Sequence, residues 1–393
     1  MKCNVCVSSR IDRVLSLPGY PLNSVYLSPA DAQTATRYNP KNLVLYICGD
    51  CGHFQAESEV RLSELYNDEY NYNTQNAGVQ GRIGFFLSQL DEISKMQFNR
   101  VIDIGCYDLS LLKAVKQKIK AKKFIGIDPS IPEKCITNED GIVCFKDYVD
   151  NVQIPGFDEN IPDLVISDQT FEHIPGINST LGNVMRKVSD NSLFAVCVPS
   201  VEVLIEKLNF HNLIHEHVNY FSVQTLTRLF NLNDASLKSY SLNYISSCGF
   251  LFGLFIRDNL RSNKPLPGVN LIDTSYFMKH YNMFQNAIDN TLALIAKLNN
   301  ERLYGFGASD ITANLAYFMK TDFSFLHNIF DDTEYKKDKF YPFLKPVIKG
   351  IPEGADLSNT NCLITSPQAA RYIYGRVNSL KFKRIINPIG IVA

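Results

Sequence analysis

Four cysteines near the amino terminus constrain the fold of this chain more than any other feature. Cys3 and Cys6 form one C-x-x-C motif, and Cys48 and Cys51 form a second. Two such motifs supply four thiolates, which is the ligand set of a closed, tetrahedral zinc site. Gly52 follows the second motif, and glycine permits the tight turn that brings two sulfur atoms to one metal. We therefore predict a small zinc-binding domain at this end of the chain.

Two other interpretations of the motifs fit less well. Two disulfide bonds would require an oxidising compartment. A redox-active C-x-x-C lies at the start of a helix in a β-α-β unit, a pattern that the surrounding residues lack. In a four-sulfur zinc site no position remains for water or substrate, so the predicted zinc is structural.

Length and charge exclude several classes of protein. The chain has 393 residues, too many for one hydrophobic core, which predicts two or three domains. A net charge of −1 with dispersed basic residues argues against nucleic acid or a membrane surface as a partner. No apolar run is long enough to span a bilayer, and the first residues lack a signal-peptide core. The remaining cysteines show no framework spacing, which indicates a reduced, cytoplasmic protein.

The middle of the chain has an α/β pattern. From about residue 98, an apolar strand, a turn and a helix-length segment recur. Near-continuous apolar runs separated by helices are typical of a parallel sheet covered on both faces. The predicted strands are 100–104, 124–128, 163–167 and 193–198.

A second α/β pattern occupies the last third of the chain. An apolar stripe at helical spacing predicts a long helix over 274–299, and the polar stretch 261–268 predicts a boundary before it. A strand at 302–306 then leads into a turn at Gly307. The predicted domains are 1–72 for zinc, 73–260 for the middle α/β domain and 261–393 for the last.

The first two strands of the middle domain each end in an aspartate. Asp103 is followed by Gly105 and Cys106, and Asp128 ends the second strand. Ligands of open α/β sheets bind beyond the carboxyl ends of the strands, where glycine lets a ligand approach the backbone. Asp128 is placed to accept hydrogen bonds from both hydroxyls of a ribose. S-adenosylmethionine (SAM) fits better than NAD, because a dinucleotide needs a glycine-rich loop for its pyrophosphate.

A later segment supports this cofactor site. Ser167 and Asp168 stand at the end of the third strand, and the polar segment that they begin runs on through Glu172 and His173. Residues in that position are expected to face the same cleft. We therefore add Ser167 and Asp168 to the predicted SAM-binding residues.

A histidine-rich segment follows the fourth strand. His215, Glu216 and His217 are consecutive, but histidines two positions apart share a face only on a strand, and the zincin H-E-x-x-H spacing is absent. His217 could act as a general base with Glu216 as its partner. The alternative is a loop without catalytic function that leads into a helix over 223–230 capped by Ser222.

These motifs, in this order, resemble the SAM-dependent sugar C-methyltransferases of deoxysugar pathways such as those of tetronitrose, mycarose and noviose. The resemblance covers nearly the whole chain. It rests on the two C-x-x-C pairs, Asp103 with Gly105, Asp128, the segments 171–175, 215–217 and 220–222, and the turn at 304–308. It implies a zinc-binding N-terminal domain, a Rossmann-like class I methyltransferase domain and a C-terminal Rossmann-like α/β domain.

The resemblance also implies a reaction. The family's substrate is a nucleotide-linked 4-keto sugar, in which a histidine base removes the proton beside the ketone and the enolate attacks the SAM methyl group. The match assigns the base to His217, its partner to Glu216, and a polar group near the keto oxygen to His173. Tyr70 or Tyr72 falls in the segment that closes over the sugar. The implied cofactors are SAM and a structural zinc ion.

The chain departs from the family at several positions. Ile214 stands where a tyrosine is usual, Leu109 where the SAM loop carries glycine, and the segments 308–311 and 247–250 differ as well. Two alternatives therefore remain at this stage: a sugar O-methyltransferase, in which His217 deprotonates a hydroxyl, and a binding protein that keeps the fold without the chemistry. The sequence does not set the oligomeric state, and a monomer is compatible with it.

Overall fold

The computed structural model describes residues 1–60, 77–136, 141–245, 249–258, 272–298 and 301–390. The chain divides into two compact units. Unit 1 comprises Met1–Val14, Leu45–Glu202 and Glu216–Asp273, and unit 2 comprises Leu15–Val44, Val203–His215 and Thr274–Ala393. Both units are therefore built from segments that are distant in sequence. The three-domain division at 72 and 260 stays a prediction.

Strands and helices alternate through most of the described residues. The strands are β1 (Ile11–Tyr20), β2 (Lys41–Cys48), β3 (Phe54–Ser58), β4 (Gln97–Ile104), β5 (Lys120–Ile127), β6 (Ile142–Phe145), β7 (Leu164–Asp168), β8 (Leu193–Pro199), β9 (Asn219–Tyr220), β10 (Ala235–Asn243), β11 (Phe250–Arg257), β12 (Leu303–Phe306), β13 (Ile329–Phe330), β14 (Ile348–Lys349), β15 (Asn361–Ile364) and β16 (Arg384–Ile386). The α-helices are α1 (Ala77–Gln89), α2 (Ser110–Lys118), α3 (Ile177–Met185), α4 (Val201–Glu206), α5 (Val223–Asn231), α6 (Thr274–Ala296), α7 (Thr312–Phe318) and α8 (Ala370–Ser379).

A seven-stranded sheet forms the centre of unit 1. Its strand order is β10-β11-β8-β7-β4-β5-β6. The strands from β6 to β8 are parallel, and β11 and β10 complete the sheet in antiparallel orientation. The parallel sheet predicted from the apolar runs is thus confirmed, and the antiparallel edge is an addition that the sequence pattern did not reveal.

Apolar side chains cover both faces of this sheet. Along β8, Phe194, Val196 and Val198 belong to one buried cluster, while Leu193 and Ala195 belong to another. Because successive strand residues point to opposite faces, the two clusters lie on opposite sides of the sheet. Polar residues lie at the carboxyl ends of β4, β5 and β7. The residues predicted to bind the cofactor are among them.

A smaller sheet has the strand order β1-β2-β3-β9. Its last two strands pair antiparallel, with Phe54 opposite Tyr220 and Gln55 opposite Asn219. The strand after the second cysteine motif therefore joins the strand directly after the predicted catalytic histidine. The backbone N–H of Ala56 adds a bond to the carbonyl of Val218 at 3.1 Å.

Unit 2 contains a five-stranded sheet with the order β14-β13-β12-β15-β16, parallel throughout. Gly307 follows β12 with a φ of 93°, and a Cβ atom there would lie 2.9 Å from the Ser366 side chain. This confirms the predicted strand and glycine turn and the α/β character of the last part of the chain.

The helix predicted over 274–299 is confirmed as α6. Its buried face includes Phe277, Phe284 and Ile288, three members of the apolar stripe. The helix over 223–230 is confirmed as α5, and Ser222 caps it in a capping box with Thr225. Among the helices of the described residues, none combines the length and apolar character that crossing a bilayer requires.

Candidate active site and zinc site

The four predicted metal ligands lie together in unit 1. The Sγ atoms of Cys3 and Cys51 are 3.6 Å apart, those of Cys6 and Cys48 are 3.5 Å apart, and all four lie within 4.8 Å of one another. Four sulfurs at about 2.3 Å from a tetrahedral zinc ion are separated by about 3.8 Å, so the cluster fits the metal. The described cysteines are all free thiols, which removes the disulfide interpretation.

Hydrogen bonds connect this cluster to the segment that carries the histidines. Asn219 directly follows Val218 and is almost fully buried. Its amide nitrogen donates to the carbonyls of Phe171 at 3.0 Å and Ile174 at 2.9 Å. Its oxygen accepts bonds from Asn4, between the first two cysteines, and from His53, just after the fourth. Zinc binding and the geometry around His173 and His217 are therefore coupled through one side chain.

The predicted cofactor site lies at the carboxyl edge of the large sheet. Gly105 follows β4 with a φ of 85°, and a Cβ atom there would lie 1.9 Å from Oγ1 of Thr170. Only glycine fits this position, because the left-handed backbone and the close approach of the neighbouring loop both exclude a side chain. Leu109, where the family has glycine, also has a left-handed φ, of 67°. That conformation costs a leucine roughly 1–2 kcal/mol.

Two aspartates define the polar end of this edge. Asp103 is almost fully buried, and neither carboxylate oxygen has a hydrogen-bond partner among the described residues. Burial raises the pKa of Asp103 well above its ordinary value, and Asp168 and Asp128 raise it further. An ammonium group of a bound ligand would supply the missing partner, and SAM carries one. Asp128 accepts bonds from the backbone N–H groups of Tyr107 and Ser130, while burial raises its pKa.

Three more predicted cofactor residues surround the aspartates. Ser167 donates its hydroxyl to the carbonyl of Ile104 at 2.9 Å. Asp168 forms an ion pair with Nε of Arg82 at 2.7 Å, with both side chains largely buried. Cys106 is buried, which raises the pKa of its thiol well above the ordinary value. The structure thus brings all six predicted residues to one end of the sheet, as the strand-end argument requires.

The two histidines predicted to be catalytic lie close together near the same edge. The ring centroids of His173 and His217 are 4.9 Å apart in an edge-to-face arrangement. Nδ1 of His173 lies 2.9 Å from the carbonyl oxygen of Glu216. Burial lowers the pKa of His173 to about 4, and burial together with His173 lowers the pKa of His217 well below its ordinary value. Burial thus favours the neutral form of both rings, which is the form with a lone pair for a proton.

Glu172 completes this group and was not predicted. It is almost fully buried, and one carboxylate oxygen lies 3.9 Å from Nε2 of His173. The sequence placed it in the polar segment after β7 that was expected to face the cleft, but gave no sign of its burial beside His173. Arg82 and Asn219 were missed because their partners are distant in sequence.

The other residues of the histidine-rich segment have different surroundings. His215 belongs to unit 2, where its Nε2 atom lies 3.2 Å from the carbonyl of Tyr20 and its ring packs against the Tyr20 ring. This placement of His215 does not support a metal site formed by His215 and His217 together. Tyr70 and Tyr72, predicted to close over the substrate, lie outside the described residues.

Comparisons with known proteins match two regions of the chain. Residues 79–238 match the family described as "Methyltransferase domain", and residues 3–66 match the family described as "Putative zinc binding domain". The C-methyltransferase NovU of Streptomyces niveus is 24% identical over 241 residues, which are 58% of this chain and 54% of that protein. The chain thus spans about half the length of the curated relative that it matches.

Solved methyltransferase structures align with about half of the chain. The N-methyltransferase NodS of Bradyrhizobium japonicum, in complex with S-adenosyl-L-homocysteine, has a TM-score of 0.38 and 11% identity, covering 50% of this chain and 96% of that one. The 1,6-didemethyltoxoflavin-N1-methyltransferase of Burkholderia thailandensis, with S-adenosylhomocysteine, has a TM-score of 0.39 and 10% identity, covering 53% and 97%.

The fold, the cysteine cluster and the domain matches define a class: a SAM-dependent methyltransferase with a zinc-binding domain at residues 3–66. Within that class, the motifs of the chain resemble those of the zinc-containing sugar C-methyltransferases, and the chain is similar to the C-methyltransferase NovU. SAM and zinc are accordingly its cofactors.

Proposed function

We propose that this protein transfers the methyl group of SAM to a carbon atom of a nucleotide-linked 4-keto deoxysugar. The observation that carries the proposal is the close pair of His173 and His217, with ring centroids 4.9 Å apart, near the same sheet edge as the unpartnered carboxylate of Asp103. A base and a cofactor pocket at one edge are the two requirements of methylation beside a ketone.

Each histidine has a separate task in this reaction. His217 removes the proton from the carbon beside the ketone, and the electron pair of that C–H bond forms the enolate. A lowered pKa keeps the His217 ring unprotonated, and thus available as a base, at neutral pH. His173 lies beside it and is the proposed polar group near the substrate oxygen, on which negative charge develops. Glu216 holds His173 through its backbone carbonyl and is also the proposed partner of His217.

The residues at the sheet edge hold and orient the cofactor. Bound SAM supplies an electrophilic methyl group on a sulfonium. Asp103 would bind the ammonium group, Asp128 the ribose hydroxyls, and Gly105 would let the cofactor approach the backbone. Ser167, Asp168 and Cys106 form the remainder of the pocket wall. Tyr70 and Tyr72 are proposed to cover the sugar.

The proposed partners and location follow from the same chemistry. The NovU similarity supports a sugar as the methyl acceptor, and the nucleotide link is part of this proposal. Four zinc-binding thiolates require a reducing environment, which supports the cytoplasm as the location.

Isotope exchange provides the decisive test. The purified protein, first shown by calorimetry to bind S-adenosylhomocysteine, is incubated in D₂O with nucleotide-linked 4-keto sugars. We expect deuterium at the carbon beside the ketone without methyl transfer, and C-methylation when SAM is added. Methylation without exchange would favour an O-methyltransferase, and absence of S-adenosylhomocysteine binding would favour a non-catalytic protein.

A matched pair of variants tests the base. His217→Asn should abolish both exchange and methylation while leaving S-adenosylhomocysteine binding intact. His327→Asn, at an exposed position in unit 2, should change neither. Unchanged exchange in His217→Asn would remove His217 from the mechanism.

A further inference from the structure

Three carboxylate oxygens at the cofactor edge of the large sheet are buried and have no hydrogen-bond partner among the described residues. Two of them belong to Asp103, and the third is Oδ1 of Asp168. The exposed fraction of Asp103 is 1%, and that of the Asp168 side chain is 7%. Buried carboxylate oxygens ordinarily accept hydrogen bonds, so these three indicate a place for a group that donates them.

The register of the sheet places the two aspartates on the same face. Asp103 on β4 lies opposite Ile166 on β7, and Asp168 stands two residues further along β7. Side chains two positions apart on a strand point to one face, and neighbouring strands lie about 4.8 Å apart, so the two α-carbons are separated by about 8 Å. Burial raises the pKa of Asp103 and the charge of Asp168 raises it further, in agreement with this proximity. One small cation can therefore contact both carboxylates.

Arg82 approaches the same face from helix α1. Ile83 and Phe86 of this helix pack in the apolar cluster that also contains Ile166, which fixes the helix against the sheet. Arg82 directly precedes Ile83, and its Nε atom donates to Oδ2 of Asp168 at 2.7 Å. The ion pair therefore orients the Asp168 carboxylate through one oxygen, while the other oxygen is one of the three without a partner.

An ammonium group matches this arrangement both in donors and in charge. It carries three N–H donors, and the two aspartates present three unpartnered oxygens. Two ionised carboxylates, the guanidinium of Arg82 and one ammonium together have no net charge. Without the ammonium, the two carboxylates and the guanidinium would leave one negative charge in excess at a buried place, which is unfavourable.

A metal ion matches the two aspartates less well. In the described part of the chain, two groups of three or more histidine, cysteine or acidic side chains have ligand atoms within 4.8 Å of one another, and neither group contains Asp103 or Asp168. A dication beside Asp168 would also be repelled by the guanidinium of Arg82, to which that carboxylate is bonded. A singly charged donor of hydrogen bonds is the better occupant.

We propose that Asp103 and Asp168 together bind the ammonium group of SAM, and that Arg82 is the positioning residue that holds Asp168 in place for it. The inference rests on the cofactor part of the proposed function and is independent of the methyl acceptor. Asp168 is then a binding residue for one defined group of the cofactor. Arg82 links the cofactor pocket to helix α1 and offsets one of the two buried negative charges.

Calorimetry with two ligands tests the ammonium site without relying on turnover. The first ligand is S-adenosylhomocysteine, and the second is its deamino analogue, in which a hydrogen atom replaces the amino group. Wild type should bind S-adenosylhomocysteine roughly 10²-fold more tightly, because the analogue loses charge-assisted hydrogen bonds to two carboxylates. Equal affinities of wild type for the two ligands would overturn the proposal, and this comparison needs no variant that has to fold.

Asp168→Asn tests the share of the second aspartate. The affinity for S-adenosylhomocysteine should fall roughly tenfold, while the affinity for the deamino analogue stays nearly unchanged, so the ratio of the two affinities falls. A ratio measured on one sample is unaffected by a fraction of unfolded protein. Asp289→Asn, exposed on α6, should keep the wild-type ratio. A wild-type ratio in Asp168→Asn would overturn the proposal, whether the two affinities are unchanged or reduced equally.

Substitutions of Arg82 test its positioning role. Arg82→Gln leaves both carboxylates in the sequence but removes the ion pair, so the affinity ratio should fall in the same direction as in Asp168→Asn. Arg82→Lys keeps the positive charge and should restore part of the ratio, which a purely structural loss would not do. Arg186→Gln, at an exposed position, is the control and should keep the ratio. A wild-type ratio in Arg82→Gln would overturn the positioning role.

The same titrations separate failure of this inference from failure of the proposed function. If wild type does not bind S-adenosylhomocysteine, the cofactor part of the proposed function and this inference fail together. If wild type binds S-adenosylhomocysteine and its deamino analogue equally well, the cofactor stands and only the shared ammonium site fails.

Discussion

Oδ1 of Asn219 accepts a hydrogen bond from Nε2 of His53 at a distance of 3.2 Å. The orientation is determined, because the Asn219 nitrogen donates to the carbonyls of Phe171 and Ile174 on either side of His173. His53 must therefore carry its hydrogen on Nε2. The bond links the end of the second cysteine motif, through Asn219, to the segment around His173, one of the two histidines proposed to be catalytic.

Asn219→Ala should weaken both sites together. The substitution removes four hydrogen bonds, of which those with His53 and with the Phe171 carbonyl are fully buried, so we expect a net loss of about 3 kcal/mol of unfolding free energy. Displacement of the Phe171–Ile174 backbone should also reduce methyl transfer. Urea unfolding and turnover measure the two effects. Asn151→Ala, at an exposed asparagine, is the control and should be close to neutral. Full activity in Asn219→Ala would show that the link is not needed.

Cys51→Ser should abolish zinc binding. Serine cannot replace a thiolate ligand, and structural zinc contributes its binding free energy to folding. Because β3 pairs with β9 directly after His217, we expect activity to disappear along with the zinc-dependent structure rather than before it. Measuring zinc content, melting temperature and activity on the same samples shows whether activity is lost together with the folded structure. Cys144→Ser, at a half-buried cysteine outside the cluster, should keep its zinc. Activity lost in Cys51→Ser with an unchanged melting temperature would contradict the structural role.

The sequence predicted those parts of the molecule that depend on local patterns. The apolar runs around Val101 and Ile125 predicted β4 and β5, the cysteine spacing predicted the metal cluster, and the strand-end rule predicted the edge with Asp103. Each of these signals is contained within a few neighbouring residues.

Contacts between distant segments could not be predicted in this way. Arg82 forms an ion pair with Asp168, and Asn219 forms a hydrogen bond with His53. In both pairs the residues are far apart in sequence, and no periodic pattern or motif spacing predicts such a contact. The burial of Glu172 depends on how the turn after β7 packs, which the local sequence does not specify. The antiparallel pair β10 and β11 was not predicted, because β10 is a partly exposed strand of mixed polar and apolar residues and the apolar pattern of β11 is the same in either direction.

Gly105→Ala should disrupt the cofactor site. The new Cβ would meet Thr170 at 1.9 Å, and the φ of 85° is unfavourable for alanine. The loop must move, so we expect loss of S-adenosylhomocysteine binding in calorimetry together with lower stability. Gly176→Ala separates backbone strain from the steric clash with Thr170. Gly176 has a φ of 66°, but no atom lies within 4 Å of the added Cβ. That control should cost only about 1 kcal/mol and leave binding intact. Equal effects of the two substitutions would exclude a role for the contact with Thr170.

Asp103→Asn should make the ligand-free protein more stable and the cofactor complex weaker. Burial raises the pKa of Asp103 above its unfolded value, so its stabilising protonated form is fully present below the unfolded pKa. That contribution is lost as the pH rises through the folded pKa, and the ionised carboxylate then destabilises the fold. Asparagine removes this pH dependence, and the melting temperature at neutral pH and above should therefore increase.

Binding should move in the opposite direction. The ionised Asp103 is the proposed partner of the SAM ammonium group, and a charge-assisted hydrogen bond contributes about 1.5–3 kcal/mol, so S-adenosylhomocysteine affinity should fall roughly tenfold or more in Asp103→Asn. Calorimetry measures the affinity, and melting curves from neutral to alkaline pH measure the stability. Asp289→Asn, exposed on α6, should change neither. Increased stability with undiminished affinity would leave Asp103 as a buried acid without a role in cofactor binding.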